Sequence, residues 1–245
     1  KQSKERINCI YDAKGIKQVD EENITTAFVD YFASILANSK PFTADVEPLF
    51  HLQTPYLSES QANSIIEEIS NEEIKKAIFN LNKESNGGPD EFNAYFLQCC
   101  WKIIRYDGLR AVKFFFSSNK LSKGFNATAI TLVPKVENPS NVSDFRPISC
   151  CNVFYKVISK IIASRLQVVL PSIISKNQVA FLPNRNISDN ILLTQDLLKG
   201  YGNSNISPRC MLKMDIRKAF DSISWSSIIA IMSRMNFPKP MLAWI

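Results

Sequence analysis

A short strand that ends on a carboxylate constrains this chain more than any other feature. Cys210-Met211-Leu212-Lys213-Met214-Asp215-Ile216 reads as a short, mostly buried strand, which turns through Lys218-Ala219-Phe220-Asp221 toward a helix near Ser224-Trp225. A carboxylate at the C-terminal end of a buried strand is costly unless a cation meets it. Mg²⁺ is a natural partner, because it takes one or two protein carboxylates and fills its other positions with water and substrate phosphate. Phe220, five residues on, would stand beside whatever such an ion holds. The plainer alternative is an Asp that caps the next turn. That is the commoner meaning of an isolated Asp-x₅-Asp, so the stretch by itself leaves both open.

What surrounds the strand narrows the class of protein. The 245 residues allow one large domain or two small ones with a sizeable core. No apolar run reaches the roughly 18 residues of a membrane span, and Lys1-Gln2-Ser3-Lys4 leads into no signal-peptide core. The expectation is an intracellular, soluble chain without a membrane partner. The six cysteines include two adjacent pairs, Cys99-Cys100 and Cys150-Cys151, and His51 is the lone histidine. With no zinc set available, buried reduced thiols are expected. Charge is divided unevenly: residues 1–101 hold 9 Lys and Arg against 16 Asp and Glu, and residues 102–245 hold 20 against 7. A basic C-terminal part fits a polyanionic partner, nucleic acid first, although a solvated basic surface reads the same way.

The order of elements follows from periodicity. Residues 1–20 are polar and unpatterned, with a turn at Asp12-Ala13-Lys14-Gly15. Ile24, Phe28, Phe32, Ile35 and Leu36 then fall at helical spacing, up to about Ala37. Asn38 to Pro55, with Pro41, Pro48 and Pro55, reads as an extended linker. Helices are expected after Ser58 and after Ser70, where Glu73 completes a capping box. Asn86-Gly87-Gly88-Pro89-Asp90 makes a sharp turn, with Asp90 placed to cap a helix holding Phe92, Tyr95, Phe96, Cys99 and Trp101. A further helix carries Leu109, Val112, Phe115 and Phe116, and the aromatics of both helices are expected to pack in a core. Thr128 to Val133 is a β-branched strand stopped by Pro134-Lys135, followed by a polar loop through Asp144-Phe145-Arg146-Pro147. Val153, Val157, Ile158, Ile161, Ile162, Leu166 and Val169 share one helical face that Pro171 should end, and Asn186 to Lys199 gives another helix.

Several ordered blocks then specify far more than any one of them. They are Ile130-Thr131-Leu132-Val133-Pro134-Lys135, Asp144-Phe145-Arg146-Pro147-Ile148-Ser149, Tyr155-Lys156-Val157-Ile158-Ser159-Lys160 with Arg165-Leu166, Gln178-Val179-Ala180-Phe181 with Arg185, Ser188-Asp189-Asn190-Ile191, and the Asp215 segment. This order closely resembles the reverse transcriptase of non-LTR, LINE-type retrotransposons, most of all their plant members. Gly87-Gly88-Pro89-Asp90 is similar to the Gly-Pro-Asp-Gly turn that precedes the polymerase there. The resemblance is strong over residues 58–245. Over the first 57 it is weak, as a connector following an endonuclease.

The resemblance implies roles residue by residue. Asp215 matches the first catalytic aspartate, a ligand to two Mg²⁺ ions. Phe220 matches the bulky residue that blocks a ribose 2′-hydroxyl. Lys135 and Arg146 match fingers residues that grip the triphosphate of the incoming nucleotide. Gln178, Phe181 and Arg185 match a block near the template, where Phe181 is better read as core and Gln178 can simply tie backbone. Asp221 is better read as structural, and Lys213 and Lys218 as surface charges. The implied partners are an RNA template, a DNA primer and deoxynucleoside triphosphates, with the cytoplasm and nucleus as the places of action.

The sequence also departs from the family's pattern. Glu91 and Asn184 stand where glycines are usual, which puts the turn at 88–91 in doubt, since Glu adopts left-handed backbone less readily than Asn. No Asp-Asp pair occurs, although the family's aromatic-x-Asp-Asp turn supplies its remaining metal ligands, and the sequence ends 24 residues after Asp221. The expectation is a fragment, truncated before that motif and unable to polymerise alone. A nucleic-acid-binding remnant without catalysis and a decayed, non-functional element are the alternatives. The expected fold is α+β and mostly helical: a connector with one helix at 1–57, a helical N-terminal extension at 58–127, and the fingers and partial palm of a right-hand polymerase at 128–245. Strands near 128–134 and 209–216 should pair antiparallel.

Overall fold

The computed structural model describes residues 7–36, 55–201 and 223–245. The linker expected at 38–55 lies almost wholly outside these residues. So does the stretch that holds Asp215, Phe220 and the strand expected at 209–216. The elements run in the order β1 (Ile10–Tyr11), β2 (Lys17–Gln18), α1 (Glu21–Leu36), α2 (Glu59–Ser64), α3 (Asn71–Phe79), α4 (Ala94–Cys99), α5 (Trp101–Ser118), α6 (Lys123–Asn126), β3 (Thr128–Pro134), β4 (Phe145–Cys151), α7 (Val153–Ile173), α8 (Ile187–Leu198), α9 (Trp225–Arg234) and α10 (Lys239–Trp244). Described residues 7–36, 69–159 and 223–225 form one compact unit, and 55–68, 160–201 and 226–245 form a second. Among the described residues no helix is long and apolar enough to cross a membrane.

In the first unit, β1 and β2 pair antiparallel around the Asp12 turn. The Asp12 carboxylate accepts from the amides of Lys14 and Ile16, and Gly15 takes a left-handed φ of 79°. The stretch that looks unpatterned in sequence is thus a short hairpin. Two residues per strand are too few to show alternation. Helix α1 follows with Ile24, Ala27, Phe28 and Phe32 buried, as its spacing predicts.

The turn at 86–91 is built by close approach. A Cβ on Gly88 would lie 2.1 Å from Asn152 Oδ1 and 2.4 Å from Asn152 N, so only glycine fits. Asn152, 2% exposed, donates through its side-chain amide to the Gly124 carbonyl at 2.6 Å and accepts from the Asp90 amide at 3.2 Å. One buried amide therefore ties the turn to α6 and to the start of α7. Asp90 does not cap a helix: its carboxylate accepts from the Phe92 amide, and Asn93 caps α4 through the Phe96 amide. The pattern expected as one helix through Trp101 is two helices meeting at Cys100, which leaves Phe92, Tyr95 and Phe96 exposed rather than in a core. Glu91 has φ 62° and Asn184 φ 60°, so both take the left-handed backbone that glycine adopts most readily.

β3 pairs antiparallel with β4, from Thr128 opposite Cys151 to Pro134 opposite Phe145. The polar loop expected to run through Pro147 therefore gives way to a strand at Phe145. Pro147 is compatible because an edge strand has a side on which its missing N–H is not needed. Helix α7 buries Val153, Val157, Ile158, Ile161 and Val169 as expected, yet it continues past Pro171 to Ile173. The cysteines are another correction: Cys9 and Cys99 are exposed, and Cys100, Cys150 and Cys151 are half-buried, all with free thiols.

In the second unit, Ser58 caps α2 in a capping box with Gln61. The Leu57 amide donates to the Met235 carbonyl, and the Asn236 side chain donates back to Leu57. Arg165 Nη1 donates to the carbonyls of Ile65 and Glu67. Leu57, Ile65, Val169, Ile173, Phe237 and Met241 are among the buried side chains of this unit.

Candidate functional site

The β3–β4 hairpin displays two of the expected residues side by side. Val133 sits opposite Arg146, and successive side chains on a strand alternate in face. Lys135, two residues beyond Val133, therefore shares the face of Arg146. The opposite face carries Leu132 and Phe145 into a core. Lys135 and Arg146 are both exposed, so their charges cost little to keep.

The tip between them is a closed hydrogen-bonded turn. The Lys135 amide donates to the Asp144 carbonyl at 2.7 Å, and Lys135 Nζ donates to the Ser143 carbonyl at 2.6 Å. Asp144 Oδ2 accepts from the backbone amides of Ser140 at 3.0 Å and Asn141 at 2.9 Å, and from the Asn141 side chain at 3.3 Å. These amides, with Asn141 first and Ser140 next, hold the Asp144 carboxyl below its usual 3.8; partial desolvation opposes them, and the Lys135 charge adds a smaller pull the same way. The ammonium of Lys135 is thus anchored by one carbonyl and has two further N–H donors to offer. Arg146 offers a planar fork suited to phosphate oxygens.

The second unit holds Gln178 and Arg185. Arg185 Nη1 donates to the carbonyls of Ser175 and Gln178, and Nη2 to those of Pro171 and Ile174. Four of its five N–H donors therefore serve carbonyls at and beyond the C-terminus of α7, where helical partners run out. These contacts close the C-terminal end of the helix. Gln178 donates to the Ala180 carbonyl at 3.3 Å, a backbone tie. Phe181 is 87% exposed with φ 64°, which corrects its reading as core.

Asp215 and Phe220 lie outside the described residues, and among the described residues no group of three or more His, Cys, Asp or Glu side chains is placed to hold a metal ion. Sequence reasoning missed Ser143 and Asp144 as the residues that fix Lys135. The signal was present as Asn141 followed three residues later by Asp144, the spacing at which a carboxylate reaches back to a turn's first amide.

Residues 133–245 match the family model described as reverse transcriptase (RNA-dependent DNA polymerase). The whole chain is 24% identical to the transposon TX1 uncharacterized 149 kDa protein of Xenopus laevis, covering 19% of that protein. Over 137 residues, 56% of the chain, it is 26% identical to the retrovirus-related Pol polyprotein from type-2 retrotransposable element R2DM of Drosophila melanogaster, covering 13% of it. Over 118 residues, 47% of the chain, it is 29% identical to the Pol polyprotein of the Popillia japonica type-1 element R2, covering 16%. The chain therefore spans under a fifth of these relatives' lengths.

Proposed function

We propose that residues 133–245, which match the reverse transcriptase family model, are a reverse transcriptase domain of the non-LTR retrotransposon type, and that the chain serves RNA-directed DNA synthesis by nucleotidyl transfer in the full-length protein. Its partners are an RNA template, a DNA primer and deoxynucleoside triphosphates. Residues 1–57 act as connector, 58–127 as helical extension, and 128–245 as fingers and the beginning of the palm.

The incoming nucleotide is taken by Lys135 and Arg146. The observation that carries this is their shared, exposed face on a hairpin whose tip is already closed. Phosphoryl transfer is mostly positioning and charge neutralisation, so two cations on one exposed face supply what the reaction needs from this element. Lys135 can keep its Ser143 contact and still donate to phosphate. Even if that contact is lost, a bond from the ammonium to a neutral carbonyl is exchanged for one to a charged phosphate oxygen, which is the stronger of the two.

Asp215 is the proposed ligand for two Mg²⁺ ions, which when bound would neutralise charge on the reacting oxygens. Phe220 stands beside the sugar and excludes a 2′-hydroxyl. Gln178 and Arg185 belong to the template side. There Arg185 acts chiefly by holding the 174–185 loop in shape, since four of its donors are engaged with that loop and the helix before it.

The sequence contains no Asp-Asp pair, so Asp215 by itself is expected to support no turnover in the 245-residue chain. The test is Mg²⁺-dependent incorporation of dTTP on poly(rA)/oligo(dT) by the purified chain. No incorporation is expected, and a signal that Asp215→Asn abolishes would overturn the expectation.

A further inference from the structure

The tip that carries Lys135 does not stand alone. The Tyr11 amide, directed away from β2, donates to the Ser140 carbonyl at 2.8 Å, and Tyr11 forms a parallel bridge with Asn141. Helix α1 presses on the same segment: the Phe28 ring meets Phe145 edge-on, with centroids 5.1 Å apart and planes at 85°. Phe32 stacks behind Phe28, and Ile10, Val142 and Phe145 are 1%, 1% and 4% exposed within one cluster. Val142 and Phe145 are thus buried anchors on either side of Ser143 and Asp144. Those two bracketed residues are the ones whose carbonyls hold the side chain and the amide of Lys135. Arg146 follows directly on the second anchor.

We propose that the β1–β2 hairpin and α1 form a brace for the β3–β4 tip, with Tyr11 and Phe28 as positioning residues that set Lys135 and Arg146 for a triphosphate. The nucleotide-facing part of this inference rests on the function proposed above; the brace itself rests on geometry alone. A two-stranded hairpin exposed at its tip is marginally stable by itself. Packing one face of it against a helix converts a floppy loop into a fixed one, and it does so more than 100 residues away in sequence. The segment ahead of the polymerase is then part of the nucleotide-binding apparatus rather than a passive tether. Any partner that engages residues 10–36 gains a lever on nucleotide affinity.

The test uses the 245-residue chain with two brace variants. Tyr11→Pro removes one N–H donor to Ser140 without hollowing the core, and Phe28→Leu keeps an apolar side chain but loses the ring contact. Amide exchange at Lys135, Asn141 and Asp144 is measured together with dTTP binding in Mg²⁺. Loss of one net hydrogen bond predicts about threefold to tenfold faster exchange at these three amides in Tyr11→Pro, with a similar loss of dTTP affinity. Both variants should lower the urea midpoint modestly, while exchange in the β3–β4 ladder near Thr128 and Cys151 should rise no more than that global loss predicts. A merely structural role would speed exchange at the tip and at the ladder alike. Lys135→Ala, and Lys135→Ala combined with Tyr11→Pro, complete the set. The brace acts through Lys135, so its effect on dTTP should shrink once Lys135 is gone. Unchanged tip exchange in both brace variants overturns the brace. If Lys135→Ala leaves dTTP binding intact, the triphosphate assignment falls instead, and tip exchange still decides the brace.

Discussion

Gly88→Ala should unfold the turn that joins the helical segment to the hairpin unit. The added Cβ would sit 2.1 Å from Asn152 Oδ1, 2.4 Å from Asn152 N and 2.6 Å from the Cys151 carbonyl carbon. Two of these neighbours are backbone at the junction of β4 and α7, where neither strand nor helix can retreat. The remaining escape is to push the Asn152 side chain aside. That breaks its bonds to Gly124 and Asp90 and strands a side-chain amide that is 2% exposed. Overpacking of this kind costs about 1–3 kcal/mol, and each forfeited buried hydrogen bond about 1 kcal/mol, giving roughly 3–5 kcal/mol in all. Against a total stability of about 5–15 kcal/mol this is a large loss. Gly15→Ala is the control. Its Cβ meets nothing within 4 Å, and only its φ of 79° resists, so about 1 kcal/mol is expected. The assay is urea denaturation of the three proteins, comparing midpoints at constant slope. A Gly88→Ala chain no less stable than Gly15→Ala would refute the steric argument.

Other substitutions probe the site and its supports. Glu91→Gly should stabilise the chain by about 0.5–1 kcal/mol, because relief of a left-handed non-glycine residue at φ 62° outweighs the added freedom of the unfolded chain; a lower urea midpoint would contradict this. Arg185→Lys should lower stability by about 2 kcal/mol, since one ammonium cannot reach four carbonyls, and calorimetry of the two chains checks it. The lowered Asp144 pKa gives a signed pH dependence: a depressed folded value means its contribution is complete above the unfolded value of 3.8 and is lost as pH falls through the lower folded one. The Asn141 amide resonance should therefore shift only below that value, and in Asp144→Asn the shift should vanish. Loosening of the tip between pH 5 and 8 would contradict the assignment.

What could be read from the sequence was local, and what could not was the pairing of distant parts. The periodic face of α7 was legible because Val153, Val157, Ile161 and Val169 repeat at helical spacing. Its end at Ile173 was not, because the carbonyls there are met by Arg185 after an intervening loop. Lys135 and Arg146 were legible as phosphate-binding candidates from their ordered blocks. The β4 strand was hidden by Pro147 and by the charged residues around Phe145, which imitate a loop until β3 pairs with them. The brace was hidden most completely. Nothing in Ile10 or Phe28 specifies that they will meet Val142 and Phe145, since burial chooses partners by shape across the fold rather than by spacing along the chain. The turn at 88–91, doubtful on account of Glu91, keeps its geometry because the tight approach of Gly88 to Asn152 leaves the backbone little alternative.

The proposed role of residues 133–245 in RNA-directed DNA synthesis is tested most directly by dTTP incorporation on poly(rA)/oligo(dT) by the full-length protein, as wild type, Asp215→Asn and Lys135→Ala. The expected result is Mg²⁺-dependent synthesis that Asp215→Asn abolishes, with Lys135→Ala raising the KM for dTTP about tenfold or more through a lost charge-assisted contact. Synthesis that survives Asp215→Asn, or a Lys135→Ala protein with an unchanged KM, would contradict it.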